Sequence, residues 1–280
     1  MTERRDGWLA GADGKRLYWQ AWMPAGEPAC VAVLAHGVNE HSGRYAHVGE
    51  RLAGDGIAVY ALDHRGHGRS DGHPSFIDRL DLVVRDLGAF VARVRKENGG
   101  RRPFLIGHSL GGAIAVTYAL RDGDSLAGLA LSGAAVATEA VSPALKALSK
   151  VLSAVAPRLP VYQIDENLIS RDPGVVRAFL EDPLVNPGKL PARTLGEITR
   201  SMETLPEQVA ELRTPLLLLH GTQDGLCPPE GSKMVAERAA TADCTLKLYD
   251  GLYHEVFNEP ERDRVLDDLS AWLLQRCEQP

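Results

Sequence analysis

An α/β fold, with a mostly parallel central sheet and helices on both of its faces, is predicted by two features of this 280-residue chain. Short apolar runs alternate with helical patterns over much of its length, which is the rhythm of β-α-β units. The chain is also 44% hydrophobic, so it can bury a sizeable core. We therefore predict one large domain that carries an insertion.

The predicted sheet begins with an antiparallel hairpin at its edge, because Trp8 to Ala10 and Leu17 to Trp22 flank the turn signal Ala12-Asp13-Gly14. The other strands are short apolar runs. They are predicted over residues 29–35, 57–62, 104–106, 126–132, 216–220 and 246–249. A final helix over about Pro260 to Arg276 places its apolar side chains on one face. These are Val265, Leu266, Leu269, Trp272 and Leu273.

The strand rhythm stops between Gly133 and about Leu205, where prolines interrupt short helical pieces. This predicts a cap inserted over residues 134–205, with residues 1–133 and 206–280 forming the core. The clearest cap helix opens at Ser142-Pro143, with serine as N-cap and proline at the first helical position. Its apolar stripe packs on the core, or else lines an acyl pocket or touches lipid. The stripe contains Leu145, Leu148, Val151, Leu152 and Val155.

The most informative motif is Gly107-His108-Ser109-Leu110-Gly111, which joins an apolar strand to an uncharged helical segment, Gly112 to Leu120. A serine flanked by glycines at such a junction is the nucleophile elbow of α/β-hydrolases. Glycines are needed because side chains there would collide with neighbouring backbone, and the strained turn exposes the hydroxyl. The motif therefore predicts an α/β-hydrolase fold with Ser109 as its nucleophile.

Two further residues complete a predicted catalytic triad, because a serine nucleophile needs a histidine base and a carboxylate to orient it. The order along the chain in this fold is serine, acid, histidine. Asp224 follows the strand that ends near His220, and His254 follows the last strand. Both thus lie beyond carboxyl ends of strands, where catalytic groups gather. Asp243 and Asp250 are less suitable candidates for the acid of the triad, since the first precedes a strand and the second lies too close to the histidine in the chain.

Two backbone amides are predicted to form the oxyanion hole. Leu110 directly follows the nucleophile at the start of a helix, whose dipole favours negative charge. Val38 follows His36-Gly37 in the loop after the third strand, although a tight turn alone would also explain that pair. Losing one donor from such a hole typically slows a reaction about 100- to 1000-fold.

Other chemistries are disfavoured by spacing and charge. The run from Leu62 to Ser70 lacks a phosphate loop and zinc-ligand spacing, so we predict a structural loop in which Asp63 and Arg65 brace the site, with no metal. The four cysteines show no paired spacing and are predicted to be reduced thiols. Cys227 is either a reactive thiol near Asp224 or an unreactive packed residue.

The net charge of −6 gives no reason to expect nucleic acid as a partner. Residues 1–7 lack the apolar region of a signal peptide, and no apolar run approaches the roughly 18 residues that span a bilayer. We expect a cytoplasmic protein without a transmembrane segment, with transient membrane or lipid-body contact through the cap.

The run from His36 to Tyr45, together with the elbow and the segments around Asp224 and His254, resembles the monoacylglycerol lipase family, especially its bacterial members. Further similar segments are Ala61–Ser70, Ile169–Pro173, Asp182–Val185 and Tyr253–Glu259. The resemblance implies a cofactor-free serine esterase that cleaves a monoacylglycerol into fatty acid and glycerol through an acyl-enzyme. It also implies that the cap forms a hydrophobic acyl tunnel.

The same resemblance places Glu40 and Arg44 near the glycerol end of the substrate, where they contact glycerol or form a salt bridge that orders the loop. Two positions depart from the family pattern: Leu110 stands where methionine is common, and Asn39 where glycine is common. Leucine leaves the amide donor intact, whereas Asn39 could alter head-group selectivity.

Alternative functions are a broader carboxylesterase, a lysophospholipase, a cofactor-free haloperoxidase, or a hydrolase-fold receptor with little turnover. Dehalogenases and epoxide hydrolases are disfavoured, because they carry aspartate where this chain has Ser109.

Overall fold

The computed structural model describes residues 2–137 and 150–277. Its strands are β1 (Glu3–Ala10), β2 (Arg16–Met23), β3 (Cys30–Ala35), β4 (Ile57–Leu62), β5 (Phe104–His108), β6 (Gly128–Ser132), β7 (Pro160–Tyr162), β8 (Leu190–Pro191), β9 (Leu216–Gly221) and β10 (Cys244–Tyr249). Eight of them form one sheet in the order β1-β2-β4-β3-β5-β6-β9-β10, while β7 pairs with β8. In the large sheet β2 pairs antiparallel with β1 and β4, and all other pairs are parallel.

The helices are α1 (Ala46–Gly54), α2 (Leu80–Glu97), α3 (Leu110–Asp122), α4 (Pro173–Glu181), α5 (Ala192–Gln208), α6 (Glu230–Arg238) and α7 (Arg262–Gln275). Residues 150–155 are also helical. Short 3₁₀ turns span Ser42–Tyr45, Gly123–Ser125, Glu166–Leu168 and Val209–Glu211.

The core lies on both faces of the sheet, because neighbouring residues of each buried strand point to opposite sides. Val33 and Leu105 belong to the cluster that α2 and α3 cover. Leu34 and Ile106 belong to the cluster that α1 and α7 cover. The predicted fold class is confirmed, and continuous burial explains why these strands appear in the sequence as unbroken apolar runs.

The predicted hairpin is present, but β1 begins at Glu3 rather than near Trp8. The first four residues of β1 are exposed and polar, so no apolar alternation announces them. The final helix buries all five side chains of its predicted face.

The described residues between β6 and β9 lie outside the large sheet and form β7, β8, α4 and α5. The predicted helix start at Ser142-Pro143 lies outside the described residues, as do Leu145 and Leu148 of the stripe. Two later members of that stripe, Val151 and Val155, are 60% and 73% exposed, so neither packs on the core. In the described part of the chain, no helix has both the length and the apolarity that crossing a membrane requires.

The prediction of four reduced cysteines is wrong for one pair. Cys30 at the start of β3 and Cys277 after α7 form a disulfide, with their Cα atoms 5.5 Å apart. They are separated by 247 residues and meet only in the folded chain, so their spacing carried no signal. Cys227 and Cys244 are free thiols.

Candidate active site

Ser109 occupies a strained turn between β5 and α3. Its φ of 53° lies in the left-handed region that side chains rarely adopt. A Cβ atom at Gly107 would come within 2.6 Å of the Gly111 carbonyl oxygen, and one at Gly111 would overlap the Ala35 carbonyl. Both flanking positions therefore require glycine, as the motif predicts.

Asp224 and His254 are brought together from the loops after β9 and β10. The Nδ1 atom of His254 lies 2.8 Å from Oδ2 of Asp224, and both residues are buried. The other carboxylate oxygen, Oδ1, accepts hydrogen bonds from the amides of Leu226 and Cys227, each at 2.9 Å. Asp224 is thus held from its own loop and faces the imidazole.

A second imidazole contacts the same carboxylate oxygen. His220 at the end of β9 places Nε2 3.0 Å from Oδ2 of Asp224 and 2.7 Å from the Cys227 carbonyl oxygen. Its Nδ1 lies 2.7 Å from the Ser232 hydroxyl. His220 is predicted from the sequence at a strand end, before the predicted acid, with no role in the site. Its position four residues before the predicted acid was the available signal.

Asp224 and His254 shift each other's pKa, because each stabilises the charged form of the other. Burial alone would raise the pKa of Asp224, but His254 and His220 hold it well below the usual value. Burial alone would lower the pKa of His254, but Asp224 raises it above the usual value. Asp224 therefore stays ionised and stabilises the imidazolium form of His254.

Ser109 lies near this pair, although the described residues show no hydrogen bond between its hydroxyl and His254. The neighbouring ring of His108 is 4.7 Å from the ring of His254, centroid to centroid. The Ser109 hydroxyl instead contacts the thiol of Cys227. Burial and the charge of Asp224 raise the pKa of that thiol well above its usual value, so Cys227 is close to the site but is not activated.

Neither amide of the predicted oxyanion hole donates a hydrogen bond to any group in the described ranges, 2–137 and 150–277. Leu110 is the first residue of α3, so its N–H has no partner within the helix. Val38 lies in the loop after β3. The preceding residue, Gly37, donates its amide to Oε1 of Glu40 at 2.6 Å.

Glu40 belongs to a buried charge cluster with Arg44 and Glu255. Arg44 donates to Oε2 of Glu40 at 2.7 Å and to both oxygens of Glu255 at 2.7 Å. Tyr45 donates to Oε1 of Glu40 at 2.7 Å. Burial raises the pKa of Glu40, whereas Arg44 lowers that of Glu255 against the effect of burial. Of the two alternatives for Glu40 and Arg44, the salt bridge is present, and its second acid, Glu255, was not predicted.

Asn39 has a φ of 65°, which lies in the left-handed region where asparagine is enriched among residues other than glycine. Its side chain is buried, and no described group donates a hydrogen bond to Oδ1. The Asn39 carbonyl accepts from the Asn186 amide at 3.0 Å.

The last turn of α4 and the residue that follows it are also attached to this loop by two side-chain contacts. Asp182 pairs with His41 at 2.9 Å. The ring of Phe179 lies 4.7 Å from the Arg44 guanidinium. The loop from Gly37 to Tyr45 therefore has three attachments to residues 179–186.

A cavity of about 280 Å³ is lined by Ser109, His254 and neighbouring residues. The site residues in its lining, which we call its polar end, are Ser109, His254, Val38, Asn39 and Glu40, and Arg44 is not among the lining residues. The remaining wall is mostly apolar. It includes Tyr162, Ile164, Ile169, Phe179, Leu190, Leu195, Ile198, Met202 and Leu226.

The histidine-rich loop after β4 contacts the chain that follows β3, because the amide of His64 donates to Nε2 of His36 at 2.9 Å. Asp63 accepts from the amides of Ser42 and Arg69 at 2.8 and 2.9 Å, and Arg65 pairs with Asp86 on α2 at 2.7 Å. Within the described ranges, no group of three histidine, cysteine or acidic side chains is arranged to hold a metal ion.

Comparison with known proteins places this chain in a family. The family described as serine aminopeptidase, S33, matches residues 26–261. The chain is 43% identical over 267 residues to the monoacylglycerol lipase of Mycolicibacterium smegmatis, covering 95% of each chain. It is 35% identical to the monoglyceride lipase of Homo sapiens, covering 96% of this chain and 90% of that protein. The crystal structure of Paleococcus ferrophilus monoacylglycerol lipase superposes with a TM-score of 0.82 at 31% identity, covering 99% of each chain.

Proposed function

The chain belongs to the monoacylglycerol lipase family of α/β-hydrolases, and from this premise we propose that it hydrolyses monoacylglycerols to a fatty acid and glycerol. One observation carries the proposal: Ser109 and His254 line a cavity whose wall is mostly apolar. An alkyl chain can occupy the apolar part while its ester carbonyl reaches the serine.

Ser109, Asp224 and His254 act as nucleophile, orienting acid and general base. The serine hydroxyl turns from Cys227 toward His254, and its proton passes to Nε2 as Oγ attacks the carbonyl carbon. The amides of Val38 and Leu110 stabilise the resulting oxyanion. The ester C–O bond to glycerol then breaks, and His254 returns the proton to the departing oxygen.

Water completes the reaction by attacking the acyl-enzyme. His254 accepts one proton of the water as its oxygen bonds to the acyl carbon. The bond between that carbon and Ser109 Oγ breaks, and the proton passes from His254 to the serine. Asp224 stabilises the imidazolium in both half-reactions, and no cofactor enters the scheme.

The glycerol head group lies beside Asn39 and Glu40. Both line the polar end of the cavity, and the buried Oδ1 of Asn39 lacks a donor among the described residues. Arg44 lies behind Glu40 and acts through it, because its guanidinium is occupied by two carboxylates.

Residues 134–205 form a cap that encloses the acyl chain and meets lipid surfaces. Most of the apolar wall comes from this segment. The described part of this segment also carries five exposed large apolar side chains, which favour transient membrane contact without a transmembrane helix. These are Val151, Val155, Leu159, Tyr162 and Leu180.

The proposed function is tested by measuring glycerol and fatty acid release from mono-, di- and triacylglycerols and from a lysophospholipid. We expect the purified protein to prefer monoacylglycerols and Ser109→Ala to be inactive while retaining its circular dichroism spectrum. Preference for the diacyl, triacyl or phospholipid substrate would refute the substrate assignment. Undiminished activity in Ser109→Ala would refute the mechanism.

A further inference from the structure

The carboxylate of Asp224 receives four hydrogen-bond donors that divide into two pairs. Oδ1 accepts from the amides of Leu226 and Cys227, which fix the acid within its own loop. Oδ2 lies 2.8 Å from Nδ1 of His254 and 3.0 Å from Nε2 of His220. The oxygen that serves the catalytic histidine is therefore shared with a second histidine.

The surroundings of His220 fix which of its nitrogens carries the proton. Nε2 faces two groups that only accept, the Asp224 carboxylate and the Cys227 carbonyl at 2.7 Å, so it must be the N–H donor. Nδ1 lies 2.7 Å from the Ser232 hydroxyl, which can donate to it. The ring is completely buried, so water does not replace these partners.

We propose that His220 is a positioning residue of the hydrolysis, whose Nε2–H fixes Asp224 Oδ2 toward His254 and reduces the negative charge that this oxygen presents to the base. The proposal rests on the function proposed above. A purely structural histidine would only need to close the loop, and the Leu226 and Cys227 amides already hold Asp224 there. The distinguishing feature is that His220 binds the catalytic oxygen itself.

The charged groups around the rings of His220 and His254 determine in which direction the pKa of His254 moves when His220 is replaced. His220 is near Asp224 and Glu230. His254 faces Asp224, Glu255 and Glu40, with the neutral ring of His108 beside it. Removing the His220 donor leaves these other charges in place and concentrates the charge of Asp224 on His254. The pKa of His254 should then rise.

The test compares His220→Leu, His220→Gln and the matched control His64→Leu, which alters another fully buried histidine that does not contact Asp224. The pKa of His254 is measured by NMR titration of ¹⁵N-labelled imidazoles and by the acid limb of kcat/KM with a short-chain p-nitrophenyl ester. In His220→Leu we expect both midpoints to rise by about 0.5 to 1 unit, part of the one- to two-unit effect of a hydrogen bond to a charged group. His220→Gln, which keeps an N–H donor, should fall between wild type and His220→Leu.

Unchanged midpoints in folded His220→Leu, even with a lower kcat, would overturn the proposal, and so would an equal shift in His64→Leu. If His220→Leu does not fold, the ¹⁵N shifts of wild-type His220 decide, because protonation at Nδ1 rather than Nε2 would contradict the proposed donor. The NMR measurement does not need turnover. Absence of ester hydrolysis in the wild type would therefore count against the proposed function alone.

Discussion

Glu40 accepts the amide proton of Gly37 across 2.6 Å, and this bond fixes the residue that precedes the proposed oxyanion donor Val38. The acceptor oxygen is also held by Tyr45, while Arg44 binds the other oxygen. Glu40 thus connects the buried charge cluster to the backbone of the site.

Replacing Glu40 with alanine should lower kcat by about 10- to 100-fold, since loss of an ordered oxyanion donor costs about 100-fold or more and the amide of Val38 remains present. The measurement uses a monoacylglycerol and a p-nitrophenyl ester that lacks glycerol, with rates normalised by active-site titration. Equal losses on both substrates indicate loop ordering. A loss confined to the monoacylglycerol would contradict that role and indicate glycerol contact.

The acid limb of activity should have its midpoint above pH 6.5. His254 must be neutral to accept the serine proton, and Asp224 raises its pKa against the effect of burial. Asp224→Asn removes the negative charge, so the limb should move to lower pH while kcat falls by about 10⁴. The kcat/KM profile of the free enzyme reports this midpoint. An unchanged limb in Asp224→Asn would contradict the assignment of His254 as the titrating base.

Folding stability should fall as the pH drops below about 6.5. Burial lowers the pKa of His64 and His108 to about 3 and lowers that of His36 and His67, so the unfolded chain binds protons that the native chain does not. Each histidine that stays neutral contributes about 1.4 kcal/mol per pH unit in this direction, and His254 with its raised pKa opposes them.

Urea unfolding between pH 7.5 and 5 measures this loss. His64→Leu should reduce the pH dependence, because it removes one buried imidazole whose two nitrogens have no partner in the described structure. His73→Leu, at an exposed position, is the control. Equal pH dependence in wild type and His64→Leu would refute this account.

Substitutions of Asn39 should separate its backbone role from its side-chain role. Asn39→Gly keeps the left-handed conformation at low cost, whereas Asn39→Ala should lose about 1 to 2 kcal/mol of stability. If the side chain binds the head group, Asn39→Gly raises KM for monoacylglycerols but not for p-nitrophenyl esters. Equal KM changes on the two substrates would exclude head-group recognition.

Membrane contact through the cap should depend on its exposed apolar residues. Val151→Ser combined with Val155→Ser should weaken cosedimentation with phosphatidylcholine vesicles, because two exposed apolar side chains are lost. Trp8→Ser, which changes an exposed residue of β1, is the matched control. An equal decrease in the control would contradict a specific role for the cap.

Much of the site follows from the sequence because Ser109, Asp224 and His254 each lie within five residues of the carboxyl end of a strand. Parallel strands bring their carboxyl ends to one edge, so chain order and strand ends suffice to group these residues. The strand limits were also close, since burial on both faces leaves continuous apolar runs. For example, the strand predicted over residues 57–62 is observed as Ile57–Leu62.

The contacts that the sequence did not reveal join residues far apart in the chain or depend on ring orientation. Glu255 meets Arg44 across 211 residues, and Cys30 meets Cys277 across 247. The second donor to Asp224 depends on how the His220 ring turns between Ser232 and the acid loop. The local sequence pattern shows where a buried strand lies. It does not show which distant residues meet or how the His220 ring is oriented.

The attachments between the loop from Gly37 to Tyr45 and residues 179–186 couple the cavity wall to the proposed oxyanion donor Val38. If Asn186 moves away from the core, it pulls on the Asn39 carbonyl, one residue from the Val38 amide. An opening on this side would therefore distort the donor that stabilises the transition state. A substrate that entered on this side would therefore meet a distorted oxyanion hole. The Val38 amide would return to its position for catalysis only after residues 179–186 had closed over the substrate.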